Sequence, residues 1–450
     1  MGNAAVVQRL VSIDGGDVAD CPVARPERLR YWAPEARTED GHTIPRGAGL
    51  SYAGASFGAG ATSVSHARFD RLLSFDAERC ELKVEAGATL WAVQTFLAAR
   101  GLYLPCHPGH GRITVGGCVG VDAHGKNQRR DGTFMNQVVR FELFHPDHGH
   151  LVLDREREPE IFELTCGGYG LTGHILTVTL RAAVLPSDHL IVMREPFADT
   201  AEGFAKLADT AEKADFTYTW HDLAQATGPG GGYVFSARFG PGPESGGVSA
   251  SPKATEAPPL TAEGARRLPV SLMRAPTLRA INGYFRLKTR SADRGQRKSV
   301  IDALFPVHGS EIYFALFGRP GLHEYQMLTP LEAAAEVLET ARARARHHGV
   351  PFALCSCKRF GGARELLRFT GDGVNFALNF PRMVGSDALM ADLDALTIEV
   401  GGLPNLAKDS RLSRAVMEAC YAEHDTFRSR LAAFDPKRRM RSGLSERLGL

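Results

Sequence analysis

The chain has 450 residues, with 44% hydrophobic and 23% charged residues, and 53 Lys+Arg against 51 Asp+Glu give a formal net charge of +2. These values sit near the globular average, which excludes a disordered or collagen-like chain, and the charge balance points to neither a nucleic-acid binder nor an acidic tail. The length fits two or three domains of roughly 150 residues each. Glycine is the one departure, with 48 residues where about 7% is usual. Such an excess marks tight turns and places where backbone approaches a ligand.

No run of about 18 apolar residues occurs, so neither a transmembrane helix nor integral membrane contact is expected. The N-terminus lacks the basic-then-apolar pattern of a secretory signal. Eight cysteines are scattered along the chain, at Cys21, Cys80, Cys106, Cys118, Cys166, Cys355, Cys357 and Cys420, and include only one close pair, Cys355-Ser356-Cys357. They read as free thiols of a cytoplasmic protein, and their spacing matches no metal motif.

Residues 82–85 alternate like a half-buried strand, and Thr89 then reads as the cap of a helix with Leu90, Val93 and Leu97 on one face, closed by Gly101. Strands are predicted at 138–144, 151–153 and 174–180. Residues 190–235 mix strand and helix signals. Residues 240–259, rich in Gly, Pro and Ser, read as a mobile surface loop. The spacing predicts a helix over 329–349, with Leu331, Ala334, Leu338, Ala341 and Ala345 as its buried stripe and Arg342, Arg344 and Arg346 as a solvated end. A further strand is predicted at 376–380. The basic stretch Arg286, Lys288, Arg290, Arg294, Arg297 and Lys298 reads as solvated surface, and no long apolar run offers a lipid platform.

Three glycine-rich stretches carry the chemistry. They are Arg46-Gly47-Ala48-Gly49-Leu50-Ser51-Tyr52; Pro108-Gly109 through Thr114-Val115-Gly116-Gly117, continuing to His124-Gly125-Lys126-Asn127; and Gly167-Gly168-Tyr169-Gly170-Leu171-Thr172-Gly173. Glycines let successive backbone N–H groups converge on an anion, and a pyrophosphate is the usual guest. Gly47–Gly49 opens no GxGxxG turn into a helix, no matching acidic residue stands about 20 residues on, and no GxxxxGK[ST] loop is present, so the arrangement is neither a Rossmann nor a Walker loop.

These strings, together with Ala407-Lys408-Asp409-Ser410-Arg411 and the ending from Asp435-Pro436 to Leu450, resemble the vanillyl-alcohol-oxidase-type FAD-binding superfamily. Within it the chain is most similar to the decaprenylphosphoryl-ribose 2-oxidases. The resemblance runs from about residue 40 to the C-terminus and is weakest over 190–320. It implies an α+β fold: a two-subdomain FAD-binding (PCMH-type) domain over 1–187, a substrate domain with an antiparallel sheet flanked by helices over 188–404, and a return to the FAD-binding domain over 405–450.

The same resemblance assigns FAD contacts to Arg46, Gly47, Ala48, Gly49, Leu50, Ser51, Tyr52, Pro108, Gly109, Thr114, Gly116, Gly117, Cys118, Asp122, His124, Gly125, Asn127, Gly170, Thr172, Gly173, Ile175 and Lys408. Ser51-Tyr52 stands where many members carry a flavin-linked histidine, and neither Cys106 nor Cys118 matches the cysteinyl attachment position, so non-covalent FAD is expected. His124 and Lys408 are implied as catalytic residues, with the base unassigned; a histidine needs little tuning for that role, whereas a lysine needs burial. Tyr52, Glu324, Tyr325, Gln326, Lys358 and Asn375 match positions lining the substrate pocket. Glu324 replaces a glutamine of the relatives and Ala377 a cysteine. A carboxylate there suits a cationic or hydroxyl-rich substrate better than a phosphorylated one. The implied activity is oxidation of a sugar-type alcohol to a carbonyl by hydride transfer to flavin N5, with oxygen or a quinone as electron acceptor. The alternatives are a decaprenylphosphoryl-ribose 2-oxidase-like enzyme and a catalytically inert flavoprotein.

Overall fold

The computed structural model describes residues 5–27, 41–224, 229–241, 268–290, 295–305 and 312–450. Most of the glycine- and proline-rich loop expected at 240–259 therefore lies outside the described residues. The chain is α+β, built on two smaller sheets and one large one.

Strands β1 (Val6–Val11), β2 (Val18–Ala24), β3 (His42–Arg46) and β4 (Ala61–Ser65) form a sheet in the order β1-β2-β4-β3. Then come β5 (Leu72–Asp76), β6 (Glu81–Glu85), a two-residue β7 (Leu102–Tyr103), β8 (Val138–His145), β9 (Gly149–Asp154), β10 (His174–Arg181) and a short β11 (Ala183–Val184) that pairs with β7. Five of these make an antiparallel sheet, β5-β6-β10-β8-β9. Its β-branched central strand β10 is buried from His174 to Leu180. Helix α1 (Leu90–Ala98) packs on this core through Leu90, Val93 and Leu97, and the Thr89 hydroxyl caps it by accepting from Ala92 N. Gly101 takes φ +69° just beyond, as a helix stop requires.

From His189 the chain enters an eight-stranded antiparallel sheet of β12 (His189–Asp199), β13 (Phe216–His221), β14 (Gly230–Phe239), β15 (Gln296–Ser299), β16 (Leu322–Thr329), β17 (Leu354–Phe360), β18 (Gly373–Pro381) and β19 (Leu403–Pro404). The order is β15-β12-β14-β13-β17-β18-β16-β19. On one face Tyr325, Met327, Cys355, Cys357, Val374, Phe376, Leu378 and Phe380 pack under helices that include Val337, Leu338, Leu389 and Leu393. A strand alternates faces with period two. Glu324, Gln326, Ser356, Lys358, Asn375, Ala377 and Asn379 therefore share the opposite face, and the register sets Glu324 beside Asn379 and Lys358 beside Asn375.

The helix expected at 329–349 runs over Ala334–His347, and Gly349 closes it at φ +68°. Ala334, Leu338, Ala341 and Ala345 are buried as expected, Leu331 is half-buried ahead of the helix, and Arg342 is not part of a solvated end. It lies inside, 7% exposed, on Glu339 at 2.8 Å. A helix over Ala275–Arg290 has no counterpart in the sequence reading. The C-terminal segment packs Leu412, Met417, Phe427, Leu444 and Leu448 against Ile44, Ala53 and Leu171. The Thr43 amide donates to the Arg439 carbonyl at 2.8 Å.

Candidate active site

The loop after β3 is held at its two ends and open in its middle. Arg46 Nη1 donates to Ser56 Oγ at 2.8 Å, and Tyr52 N donates to the Ala407 carbonyl at 3.3 Å. Between them, the backbone N–H groups of Gly47, Ala48, Gly49, Leu50 and Ser51 find no partner among the described residues. Ala48 is exposed and the other four are half-buried, so this row of N–H groups is open to an acceptor. A Cβ on Gly47 would stand 2.3 Å from Thr114 Oγ1, and one on Gly116 would stand 2.9 Å from the Ala86 Cβ. The first loop thus touches the second at Gly47, and the second touches the end of β6 at Gly116, both too closely for a side chain. Thr114 also caps helix α2 (Val115–Val121), its hydroxyl accepting from Gly117 N at 3.2 Å. This cradle suits the pyrophosphate of FAD.

The third loop is different. Its Gly167, Gly168, Tyr169, Leu171 and Gly173 amides are all bonded within the chain. Gly170 and Gly173 serve close packing, against Pro45 and the Phe144 carbonyl. Thr172 is fully buried on Thr165 Oγ1 at 2.9 Å, and Ile175 and Cys118 lie in the hydrophobic core. Cys118 is fully buried, and burial pushes its thiol's pKa well up. Asp122 is 2% exposed at φ +44°, with Oδ1 accepting from Met135 N at 2.9 Å. These side chains build the wall behind the cradle. Asn127 binds the Pro105 carbonyl and Asp131 beneath Gly125, leaving its Oδ1 buried without a partner. The Pro108 carbonyl, next to Gly109, is bonded to His107 Nδ1 at 3.0 Å.

On the polar face of the large sheet, Lys408 Nζ lies 3.1 Å from Glu324 Oε1 and 4.2 Å from the centre of the Tyr52 ring. Gln326 Nε2 donates to Glu324 Oε1 at 2.6 Å, and Asn405 Nδ2 donates to Gln326 Oε1 at 2.9 Å. The Tyr313 hydroxyl reaches Asn379 Oδ1 at 3.1 Å. Burial pushes the Glu324 carboxyl up, but Lys408, then Tyr52 and Asn379, outweigh it and hold the pKa below the usual carboxylate value. Glu324 is therefore an ionised partner of Lys408. That corrects the view of it as a free carboxylate able to repel a phosphate. The neighbours of Lys408 in sequence play no part in this pair, because Asp409 and Asp394 are taken by Arg411.

The second half of the face holds His124, Lys358 and Asn375. Asn375 Nδ2 lies 3.3 Å from His124 Nε2, whose ring packs edge-on to Phe360 at 4.8 Å. Burial first, then the Lys358 and Lys408 cations, lowers the His124 pKa well below the ordinary histidine value. His124 is thus a neutral imidazole and a weaker base than its residue type suggests. Burial and then Lys408 push Lys358 down to about 8, against a partial pull from Glu324. Lys126 sits 4.7 Å over the Tyr218 ring, pushed down to about 7 by burial and then by Lys358. Neither lysine has an ion pair among the described residues.

The expected pocket residues Tyr52, Glu324, Gln326, Lys358 and Asn375 thus share one face with His124 and Lys408. Tyr325 does not. It points to the helix-covered side, where its hydroxyl meets Asp394 and Thr397 at 3.1 and 2.8 Å, as the alternation of β16 demands. Sequence reading missed Lys126, Asn379, Asn405 and Tyr313. For Asn379 a signal existed: in Val374-Asn375-Phe376-Ala377-Leu378-Asn379-Phe380 the polar and small residues alternate with large apolar ones.

An FAD binding domain family matches residues 25–153. An uncharacterized protein of Streptomyces coelicolor is 32% identical over 384 residues, covering 80% of this chain and 100% of that protein. The decaprenylphosphoryl-beta-D-ribose oxidase of Mycolicibacterium smegmatis is 27% identical, covering 94% of this chain and 93% of that enzyme. L-galactono-1,4-lactone dehydrogenase 2 of rice is 33% identical over 137 residues, 30% of this chain and 23% of that protein. The chain belongs to the FAD-binding oxidoreductase superfamily, and FAD is its cofactor. Among the described residues no helix is long and apolar enough to cross a membrane.

Proposed function

We propose that the protein oxidises an alcohol of a sugar-type substrate to a carbonyl, on the polar face of the large sheet. The observation that carries this is the convergence of Lys408, Glu324, Tyr52, His124, Lys358 and Asn375, from six separate stretches of chain, beside the glycine cradle. In this reading the four- and five-stranded sheets are the two subdomains that hold FAD. The bound FAD supplies the hydride acceptor. Lys408, steered by Glu324 and seated on the Tyr52 ring, orients the substrate hydroxyl and stabilises negative charge that develops on its oxygen. Neutral His124, whose Nε2 accepts from Asn375 Nδ2, lines the site beside the same hydroxyl. The test is anaerobic flavin bleaching against sugars, aminosugars and polyprenyl-phosphoryl pentoses; if no alcohol bleaches the flavin, the chain is an inert flavoprotein and the reading is wrong.

The charge balance favours a substrate carrying an anionic group, as the name of the mycobacterial relative also suggests. Glu324 is neutralised by Lys408, while Lys358 and Lys126 form no ion pair among the described residues. Both lysines are protonated below their pKa values and lose charge as pH rises through about 7 for Lys126 and about 8 for Lys358. The KM for a sugar phosphate ester should therefore rise across that window, and the KM for the corresponding neutral sugar should stay flat. Parallel profiles for the two would remove the anionic group from the proposal.

FAD is held without a covalent bond in this proposal. Ser51 turns its hydroxyl to the Ala53 carbonyl at 2.9 Å and Tyr52 is buried under Lys408. The Cys106 thiol is buried on the Gly132 carbonyl and pushed well up by burial, so it is no thiolate. Acid or heat should release all of the flavin into the supernatant; fluorescence that stays with the denatured chain on a gel would contradict this.

A further inference from the structure

Asn405 reaches Lys408 by two routes. The first is local. Asn405 directly follows β19, and its carbonyl accepts from Lys408 N at 3.0 Å while its side-chain Oδ1 accepts from Ala407 N at 3.1 Å. An asparagine that bonds its own backbone two residues on fixes the turn it begins. The second route crosses to β16. Asn405 N donates to the Gln326 carbonyl, and Asn405 Nδ2 donates to Gln326 Oε1, both at 2.9 Å. Gln326 Nε2 then donates to Glu324 Oε1 at 2.6 Å, and that same oxygen lies 3.1 Å from Lys408 Nζ. Turn and side chains thus close a ring that begins and ends at Lys408, and Asn405, Gln326 and Glu324 are all buried.

The ring has a direction. An amide side chain carries donors on one atom and an acceptor on the other, and an ionised carboxylate only accepts. Ala407 N is a donor, so Asn405 faces it with Oδ1 and presents Nδ2 to Gln326. Gln326 must then offer Oε1 to Asn405, which leaves Nε2 for the carboxylate. One backbone N–H therefore orients two amides and gives Glu324 a donor that suits its charge. Resting on the reading that Lys408 orients the substrate hydroxyl, we propose that Asn405 is a positioning residue for Lys408. It holds the backbone turn of the lysine and, through Gln326, the carboxylate that aims its ammonium. Asn405→Asp keeps an acceptor for Ala407 N but can no longer donate to Gln326. Gln326 has to turn its Nε2 to position 405, and its Oε1 then faces the Glu324 carboxylate, oxygen against oxygen. Adding Glu324→Gln completes the reversed order, because an amide at 324 donates to Gln326 and still offers its oxygen to Lys408.

The test compares the FAD-loaded parent, Asn405→Asp, Glu324→Gln and the double variant. One readout is single-turnover flavin reduction by an alcohol that bleaches the parent. The other needs no substrate: the rate at which acetic anhydride acylates Lys408, followed by peptide mass spectrometry. Asn405→Asp should keep its FAD and slow reduction about tenfold, the effect of losing one hydrogen bond to a charged group. It should speed acylation of Lys408 roughly two- to fivefold, the scale of a partly exposed ion pair. In that background Glu324→Gln should restore reduction rather than deepen the loss, and should return acylation to the rate of Glu324→Gln alone. A residue that only packed the turn would give two losses that multiply. Multiplying losses, or acylation of Lys408 at the parent rate in Asn405→Asp, overturns the proposal. Should Asn405→Asp not fold, Gln326→Met cuts the same link with the turn intact, and unchanged acylation there overturns it equally. If no alcohol bleaches the parent, the proposed activity is wrong, and the acylation rates alone decide whether Asn405 holds Lys408.

Discussion

Lys408→Ala should lose turnover by on the order of 10²–10³, the usual effect of removing one group that acts on developing charge, while FAD stays bound. Lys408 touches Glu324 and the Tyr52 ring, so loss of activity by itself does not separate a role in chemistry from a role in holding the fold. Glu324 separates them. Without Lys408 the buried carboxyl keeps its hydrogen bonds from Tyr52 and Asn379 but loses its only cationic partner among the described residues, and desolvation becomes the leading influence. Its pKa moves above the ordinary carboxylate value. The folded state then binds more protons than the unfolded one, so the variant loses stability as pH rises through that pKa. The parent chain behaves oppositely: its Glu324 pKa is depressed, and the stability this contributes is present above the unfolded value and lost on acidification. The cost at neutral pH should be on the order of 2 kcal/mol, less than for a fully buried pair because Lys408 is partly open to solvent. Adding Glu324→Gln to Lys408→Ala should recover most of that loss, seen as the thermal midpoint, and recover none of the single-turnover flavin reduction rate. If the double variant regains the rate together with the stability, Lys408 only positions the fold and has no part in the reaction.

The parts of this structure legible in the sequence were those with local physical signatures. The Thr89 cap, the stop at Gly101 and the buried strand β10 each follow from residue type and spacing within a few positions. The cradle was legible because glycine at 47 and 116 is a steric requirement, written directly into the chain. The third glycine loop looks the same in sequence but bonds its own amides, and composition does not tell an open row of N–H groups from a closed one. Face assignment in the large sheet was harder. All eight residues of β16 are buried, so its apolar period is blurred, and Tyr325 was read onto the wrong side. The pairing of Glu324 with Lys408 joins positions 84 residues apart, and only the fold makes it. The helix over Ala275–Arg290 escaped notice because its apolar face looks outward, the reverse of the pattern that marks a buried helix.

Gly47→Ala should yield a protein that folds but purifies almost colourless. The single methyl group would stand 2.3 Å from Thr114 Oγ1, closer than real Cβ contacts come. Thr114 cannot simply step aside, since its hydroxyl caps α2 through Gly117 N at 3.2 Å. Displacing a cap costs about 1 kcal/mol, and the alternative is to shift the loop whose five free N–H groups form the cradle. A shift that misaims those donors should lower FAD affinity by at least roughly tenfold, which corresponds to losing one well-made hydrogen bond to an anion. The measurement is the flavin-to-protein absorbance ratio as purified, followed by FAD titration of the stripped chain. Thr114→Ala placed in the Gly47→Ala background removes the atom in the way, and should restore part of the affinity despite the lost cap. Gly283→Ala, with nothing within 4 Å of the added methyl group, should keep the full complement of FAD and a slightly more stable helix. Full flavin content in Gly47→Ala would mean that the open row of amides binds something other than the cofactor.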